Sequence, residues 1–295
     1  MIAFHRRHCL AIALCLPLFA FAATAEEKSG PQGKPDGDLR EQVWLIPLPH
    51  DGDRVMYTTV FRPPGEEQRP LAVINHGSPP KPEDRPNLRS TYRAASEWLV
   101  KRGYVVVLPV RRGYGKTGGD WAETYGRCDG ADYRRAGLET ARDIQAAIAY
   151  MTKQPIVRPE RVLVVGQSAG GWGSLALSSL NPPEVAAILD FAGGRGGYAD
   201  GKPNNNCTPD RLVEAAGEYG KTARVPTLWI FTENDLFFNP SLSRRMAEAY
   251  AAAGGKAEYN WLKPFGKDGH TLFSSADGVG RWREIVEKFL GANGL

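Results

Sequence analysis

Cysteine and histidine are scarce in this sequence, with four of one and five of the other among 295 residues. Any site built from them draws on a very short roster. No block of like charge occurs, and the formal net charge is only +4. A nucleic-acid-binding protein usually concentrates basic residues on one face, so that class has little support. No apolar run reaches the roughly 20 residues of a membrane span. No internal repeat appears, and no low-complexity tract follows the N-terminal region. What the chain does have is 42% hydrophobic and 24% charged residues. That content builds a core and excludes a disordered, collagen-like or coiled-coil protein.

The N-terminus reads as a processing segment. Arg6 and Arg7 precede an apolar run from Cys9 to Ala22, and Ala23-Thr24-Ala25 supplies small residues before Glu26. A basic start, a short apolar stretch and a small-x-small triplet are the pattern of a cleavable secretory signal over residues 1–25. Its loss lowers the formal charge from +4 to +2 and removes Cys9 and Cys15. The expected location is therefore exported, periplasmic or secreted, with no stable membrane anchor after cleavage. In an oxidising compartment the remaining Cys128 and Cys207 commonly pair, the other possibility being two separate buried thiols. Residues 26–38 hold no apolar side chain and read as a flexible arm, leaving residues 39–295 as the folded domain.

Within that domain, short runs rich in Val, Ile and Leu alternate with helical patterns, which predicts a mostly parallel sheet covered by helices. Strands are expected at 42–46, 55–61, 71–75, 105–109, 161–165, 185–190, 227–231 and 257–261. The first two form an antiparallel hairpin around Pro49-His50-Asp51-Gly52. Helices are expected at 88–102, 133–154, 169–180, 241–253 and 279–290, while 191–224 reads as a long glycine-rich insertion.

One segment carries chemistry. Val162 to Val165 is an apolar strand, Gly166-Gln167-Ser168-Ala169-Gly170 follows, and a helix starts at once. Gly-x-Ser-x-Gly at a sharp strand-to-helix turn lifts a serine clear of the sheet. A serine hydroxyl needs a base. Of His50, His76 and His270, only His270 lies downstream of Ser168, in a loop after the last expected strand. A carboxylate must orient that imidazole. Asp235, just past the strand at 227–231, is the choice, with Glu233 and Asp190 as rivals. Oxyanion donors are expected from the backbone amides of Ala169, at the helix start, and Ser78, where Gly77 allows a tight turn. His76 then belongs to the structure of that loop.

His76-Gly77, Gly166-Gln167-Ser168-Ala169-Gly170, Asp235 and His270 together resemble the α/β-hydrolase superfamily over nearly the whole domain. Arg112-Gly113-Tyr114-Gly115-Lys116-Thr117-Gly118-Gly119 is similar to the Arg-Gly-x-Gly-x-Ser-x-Gly stretch of dienelactone-hydrolase-like and prolyl-oligopeptidase-like catalytic domains. Thr117 departs from it where serine is commoner, and the sequence carries no oligopeptidase propeller. The resemblance implies an α/β-hydrolase fold with an eight-stranded sheet, helices on both faces and no large cap domain. It also implies the triad Ser168, Asp235 and His270, with no cofactor and no metal.

The function expected is hydrolysis of a small carboxylic ester through an acyl-enzyme. A peptidase or amidase with the same triad is the alternative, and a non-catalytic binding protein on this scaffold is a third. Arg195, in the glycine-rich insertion, is expected to point into the cleft and favour an anionic substrate group. Trp172 and Tyr114 are expected in the pocket wall, and Trp121, Tyr125 and Phe237, near these loops, are candidates with Trp172 for lining an acyl or aryl pocket, ordinary packing being the alternative for each.

Overall fold

A computed structural model describes Met1 and residues 29–295. Apart from Met1, the signal segment, with Cys9 and Cys15, therefore lies outside the described residues. The sheet has nine strands: β1 (Gly30–Asp36), β2 (Glu41–Pro47), β3 (Val55–Phe61), β4 (Leu71–Asn75), β5 (Val105–Pro109), β6 (Val162–Gln167), β7 (Val185–Phe191), β8 (Thr227–Thr232) and β9 (Ala257–Leu262). Their spatial order is β1-β2-β3-β5-β4-β6-β7-β8-β9. Pairing is antiparallel from β1 to β5 and parallel from there to β9.

Strands β4, β5 and β6 are buried along their whole length, which explains why they read as continuous apolar runs. Alternate side chains divide between two cores. Val73, Val107 and Val164 face a core with helices α2 (Tyr133–Met151), α3 (Ala169–Ser178), α4 (Pro209–Gly220) and α5 (Pro240–Ala252). Ile74, Val106 and Val165 face the other, with α1 (Arg93–Lys101) and α6 (Val279–Ala292).

Three expectations change. The sheet gains a ninth strand because residues 30–36, read as part of a flexible arm, pair antiparallel with β2. An edge strand needs backbone hydrogen bonds rather than an apolar face, and most of its side chains are exposed. Helix α1 starts at Arg93 rather than 88, because Tyr92 takes a left-handed conformation with φ 37°. The insertion at 191–224 contains α4, whose Leu212, Ala215, Ala216 and Tyr219 recur at helical spacing and are buried.

The chain runs from β4 outward to β5 on one side and to β6 on the other. That reversal opens a crevice beyond the C-terminal ends of β4 and β6. His76-Gly77-Ser78 leaves one of these strands and Ser168 leaves the other.

Candidate active site

Ser168 sits between β6 and α3 with φ 54° and ψ −121°, a strained conformation for a residue with a side chain. The turn closes only with glycines around it. A Cβ on Gly166 would lie 2.4 Å from the Gly170 carbonyl oxygen, and one on Gly170 would lie 2.2 Å from that of Asn75. Ala169 is the first residue of α3, so its amide has no partner within the helix. Gly77 acts by proximity, since its backbone is not in the left-handed region and a Cβ there would come within 3.2 Å of the Ser168 Cβ.

Strand β8 delivers Asp235 to the same end of the sheet. It is buried, and its Oδ1 accepts hydrogen bonds from the Phe237 and Phe238 amides at 2.7 and 2.9 Å. His270 Nδ1 lies 3.0 Å from Asp235 Oδ2. Phe237 stacks on the imidazole with ring centroids 4.1 Å apart. Asp268 Oδ1 accepts from the amides of both Leu236 and His270, at 3.1 and 2.9 Å, so the two loops are tied together. The rivals of Asp235 lie elsewhere. Glu233 pairs with Lys263 at the surface, and Asp190 is buried where burial raises its pKa.

The other histidines have their own partners. His50 Nε2 is 2.8 Å from Asp143, which also receives Arg112. His76 faces the Gly77 carbonyl oxygen through Nδ1 and accepts from the Arg111 amide through Nε2. Burial, with Arg111 next in effect, pushes its pKa down to about 3, so the ring is neutral and braces the Gly77-Ser78 loop.

Nothing in the sequence around Tyr92 marks it as part of the site. Its hydroxyl accepts from the Gly77 amide at 3.2 Å and donates to Gln167 Oε1 at 2.7 Å. Gln167 Nε2 in turn donates to the His270 carbonyl oxygen at 2.7 Å. One chain of hydrogen bonds thus joins the loop after β4, the Ser168 turn and the His270 loop.

Ser168 and His270 both line an open cleft of about 700 Å³, bounded also by Ser78, Tyr92 and Phe237. On its other side, Ser168, Ser78 and Ala169 line a second cavity of about 100 Å³ walled by Trp121, Tyr125, Phe237, Phe238, Arg85 and Arg195. Trp172 and Tyr114 are fully buried and belong to neither wall, a correction to the sequence reading. Trp172 turns into the core and donates to the Tyr133 carbonyl, because α3 directs it away from the crevice. Tyr114 lies under the small cavity and donates to Glu123. Thr117 accepts from the Tyr57 amide and donates to the Val110 carbonyl, tying the glycine-rich segment to β3.

Cys128 and Cys207 are joined by a disulfide with Cα atoms 5.2 Å apart. The bridge fastens the loop after β5 to the insertion after β7. Beside it the Cys207 amide donates to the Gly196 carbonyl at 2.9 Å, holding the segment that carries Arg195.

This fold and topology make the chain a member of the α/β-hydrolase superfamily. Within it, residues 51–231 match the X-Pro dipeptidyl-peptidase (S15 family), and the chain belongs to that family of serine hydrolases. Among curated proteins it is 26% identical over 155 residues to dipeptidyl-peptidase 5 of Porphyromonas gingivalis, covering 52% of this chain. The match spans only 21% of that relative. Among solved structures, an esterase of Pyrococcus furiosus superposes with a TM-score of 0.62 at 15% identity, over 90% of this chain and 98% of that one. An acylaminoacyl peptidase of Pyrococcus horikoshii gives 0.61 at 15%, over 87% of this chain and 42% of that one. An acetyl xylan esterase of Paenibacillus gives 0.58 at 16%, over 91% and 90%.

Proposed function

We propose that this chain hydrolyses small carboxylic esters through a Ser168–His270–Asp235 triad. The observation that carries this is the His270–Asp235 pair, 3.0 Å apart, in the cleft that the strained Ser168 turn also lines. Ser168 attacks the ester carbonyl while His270 Nε2 takes its proton, and Asp235 stabilises the imidazolium that forms. The Ser78 and Ala169 amides hold the oxyanion. His270 then gives its proton to the leaving alcohol, and a water activated by the same ring releases the acid and regenerates the serine. The chemistry needs no cofactor or metal. The small cavity beside Ser168 suits a short acyl group, and the open cleft accepts the alcohol.

A peptidase or amidase working through the same residues is the second reading, favoured by membership of the X-Pro dipeptidyl-peptidase family. Under either reading we place the chain outside a reducing cytosol, a location supported by the Cys128–Cys207 bridge.

A fluorophosphonate probe is expected to label the wild type at Ser168, and Ser168→Ala is expected to abolish both labelling and hydrolysis of 4-nitrophenyl acetate. Activity retained in Ser168→Ala overturns the triad. Parallel kcat/KM values for acyl esters and aminoacyl amides separate the two readings, with esters expected to be the faster substrates.

A further inference from the structure

Beneath the small cavity lies a buried cluster with more cations than anions. The Glu123 carboxylate is enclosed by two guanidiniums, Arg111 and Arg195, and also accepts from the Tyr114 hydroxyl. Both arginines are almost wholly buried, at 0% and 4% exposure. One carboxylate therefore serves two permanent cations. A third, Arg85, lies over the Trp121 ring with its Cζ 3.3 Å from the centroid, and Trp121 also walls the cavity.

The hydrogen bonding is incomplete in the same direction. Arg195 commits Nη2 to Glu123 and Thr140, but its buried Nε has no partner. The Nε of Arg85 is likewise buried without one. Both residues line the cavity, and none of its lining residues is acidic. The nearby His76 is neutral for the reason given above. A buried donor left unsatisfied costs free energy, and an uncompensated guanidinium costs more. An anion entering the cavity relieves both.

Position decides which part of the substrate enters. The leaving group must receive its proton from His270, which lines the large cleft and not the small cavity. Ser78 lines both spaces, but Ala169, the other expected oxyanion donor, lines only the small cavity, so the acyl substituent extends into it. About 100 Å³ holds a carboxylate on a short methylene chain and little more.

We propose that this cavity is an acyl-side subsite for a carboxylate, with Arg195 and Arg85 as the residues that bind it, so that half-esters of short dicarboxylic acids are favoured over neutral esters. The proposal rests on the triad reading above and adds the substrate class. It revises the simpler expectation for Arg195, whose guanidinium is shared with Glu123 and acts together with Arg85, a residue the sequence did not single out.

The test uses isosteric pairs: monoethyl succinate against ethyl succinamate, and monoethyl glutarate against ethyl glutaramate, with ethanol release as readout. The wild type is expected to favour the acid member of at least one pair by on the order of tenfold or more in kcat/KM, the size of one charge-assisted hydrogen bond. That ratio is expected to fall several-fold in Arg85→Gln and in Arg195→Gln. Arg85 is only partly buried, so its variant stays informative if loss of Arg195 disturbs folding. A wild-type ratio of one or less in both pairs, with Ser168 still labelled by fluorophosphonate, overturns the subsite and leaves the triad standing. Absence of labelling overturns the triad reading itself.

Discussion

Asp190 is a fully buried carboxyl group at the end of β7, with no cation beside it among the described residues, and burial outweighs the opposing effect of the Gly193 backbone. Glycine is required at two neighbouring positions, because a Cβ on Gly171 or Gly193 would lie 2.1 or 2.0 Å from its Oδ1. Burial raises its pKa well above the ordinary value, so the native protein retains a proton that the unfolded chain releases. Stability from this group is complete below about pH 4 and declines as pH rises toward the folded pKa, by at most ~1.4 kcal/mol per pH unit. His76 works in the opposite sense, since its folded pKa of about 3 means that acidification below about pH 6.5 charges the unfolded chain first. Asp190→Asn keeps the shape of the neutral acid and removes its titration. Urea unfolding at pH 4 and pH 8 is expected to show the variant gaining on the wild type as pH rises, by a kcal/mol or more. His76 is common to both chains and cancels from the difference. A gap that does not change with pH excludes a proton held at Asp190.

At the scale of elements, the insertion between β7 and β8 differs most from its sequence reading. Gly193-Gly194-Arg195-Gly196-Gly197 suggests loose chain, yet the glycines are sites of close packing. A Cβ on Gly194 would meet the Phe238 ring at 2.6 Å, and one on Gly196 the Tyr133 hydroxyl at 2.1 Å. These neighbours come from distant parts of the chain, so nothing local announces them. Helix α4 was legible in principle from the spacing of Leu212, Ala215, Ala216 and Tyr219, but the Asn- and Pro-rich stretch before it obscured its start. The disulfide ties this insertion to the loop after β5 across 79 residues of sequence. By loop-closure entropy, its removal is expected to cost about 4 to 5 kcal/mol. Cys128→Ser/Cys207→Ser is therefore expected to unfold at a clearly lower urea concentration, and to lose acyl-substrate affinity more than labelling of Ser168. A loss below ~1 kcal/mol leaves the bridge without the stabilising role assigned to it.

Across the whole molecule, sequence legibility followed burial and chain proximity. The strands from β2 to β8 were readable because burial forces a run or alternation of apolar side chains, whereas β9 has no fully buried residue. The Ser168 turn, Asp235 and His270 were readable because each follows a strand in order. Partners joined only by folding were not: Tyr92 with Gln167, and Glu123 between Arg111 and Arg195, pair across 12 to 75 residues. Trp172 and Tyr114 were misplaced because proximity to a motif says nothing of which way a side chain turns.

Strand β1 left no apolar signature, and its composition has a consequence for the protein in concentrated solution. It covers β2, whose Val43 is 43% exposed even with β1 in place. As the edge strand it carries Pro31, Lys34 and Pro35, two residues with no amide to donate and one with a charge. Such an edge resists continuation of the sheet into a second molecule. A chain trimmed to residues 39–295 exposes the pairing groups of β2 and is expected to self-associate, seen as concentration-dependent light scattering, where residues 26–295 stay dispersed. If both scatter alike, the prolines at this margin are not what keeps neighbouring molecules apart.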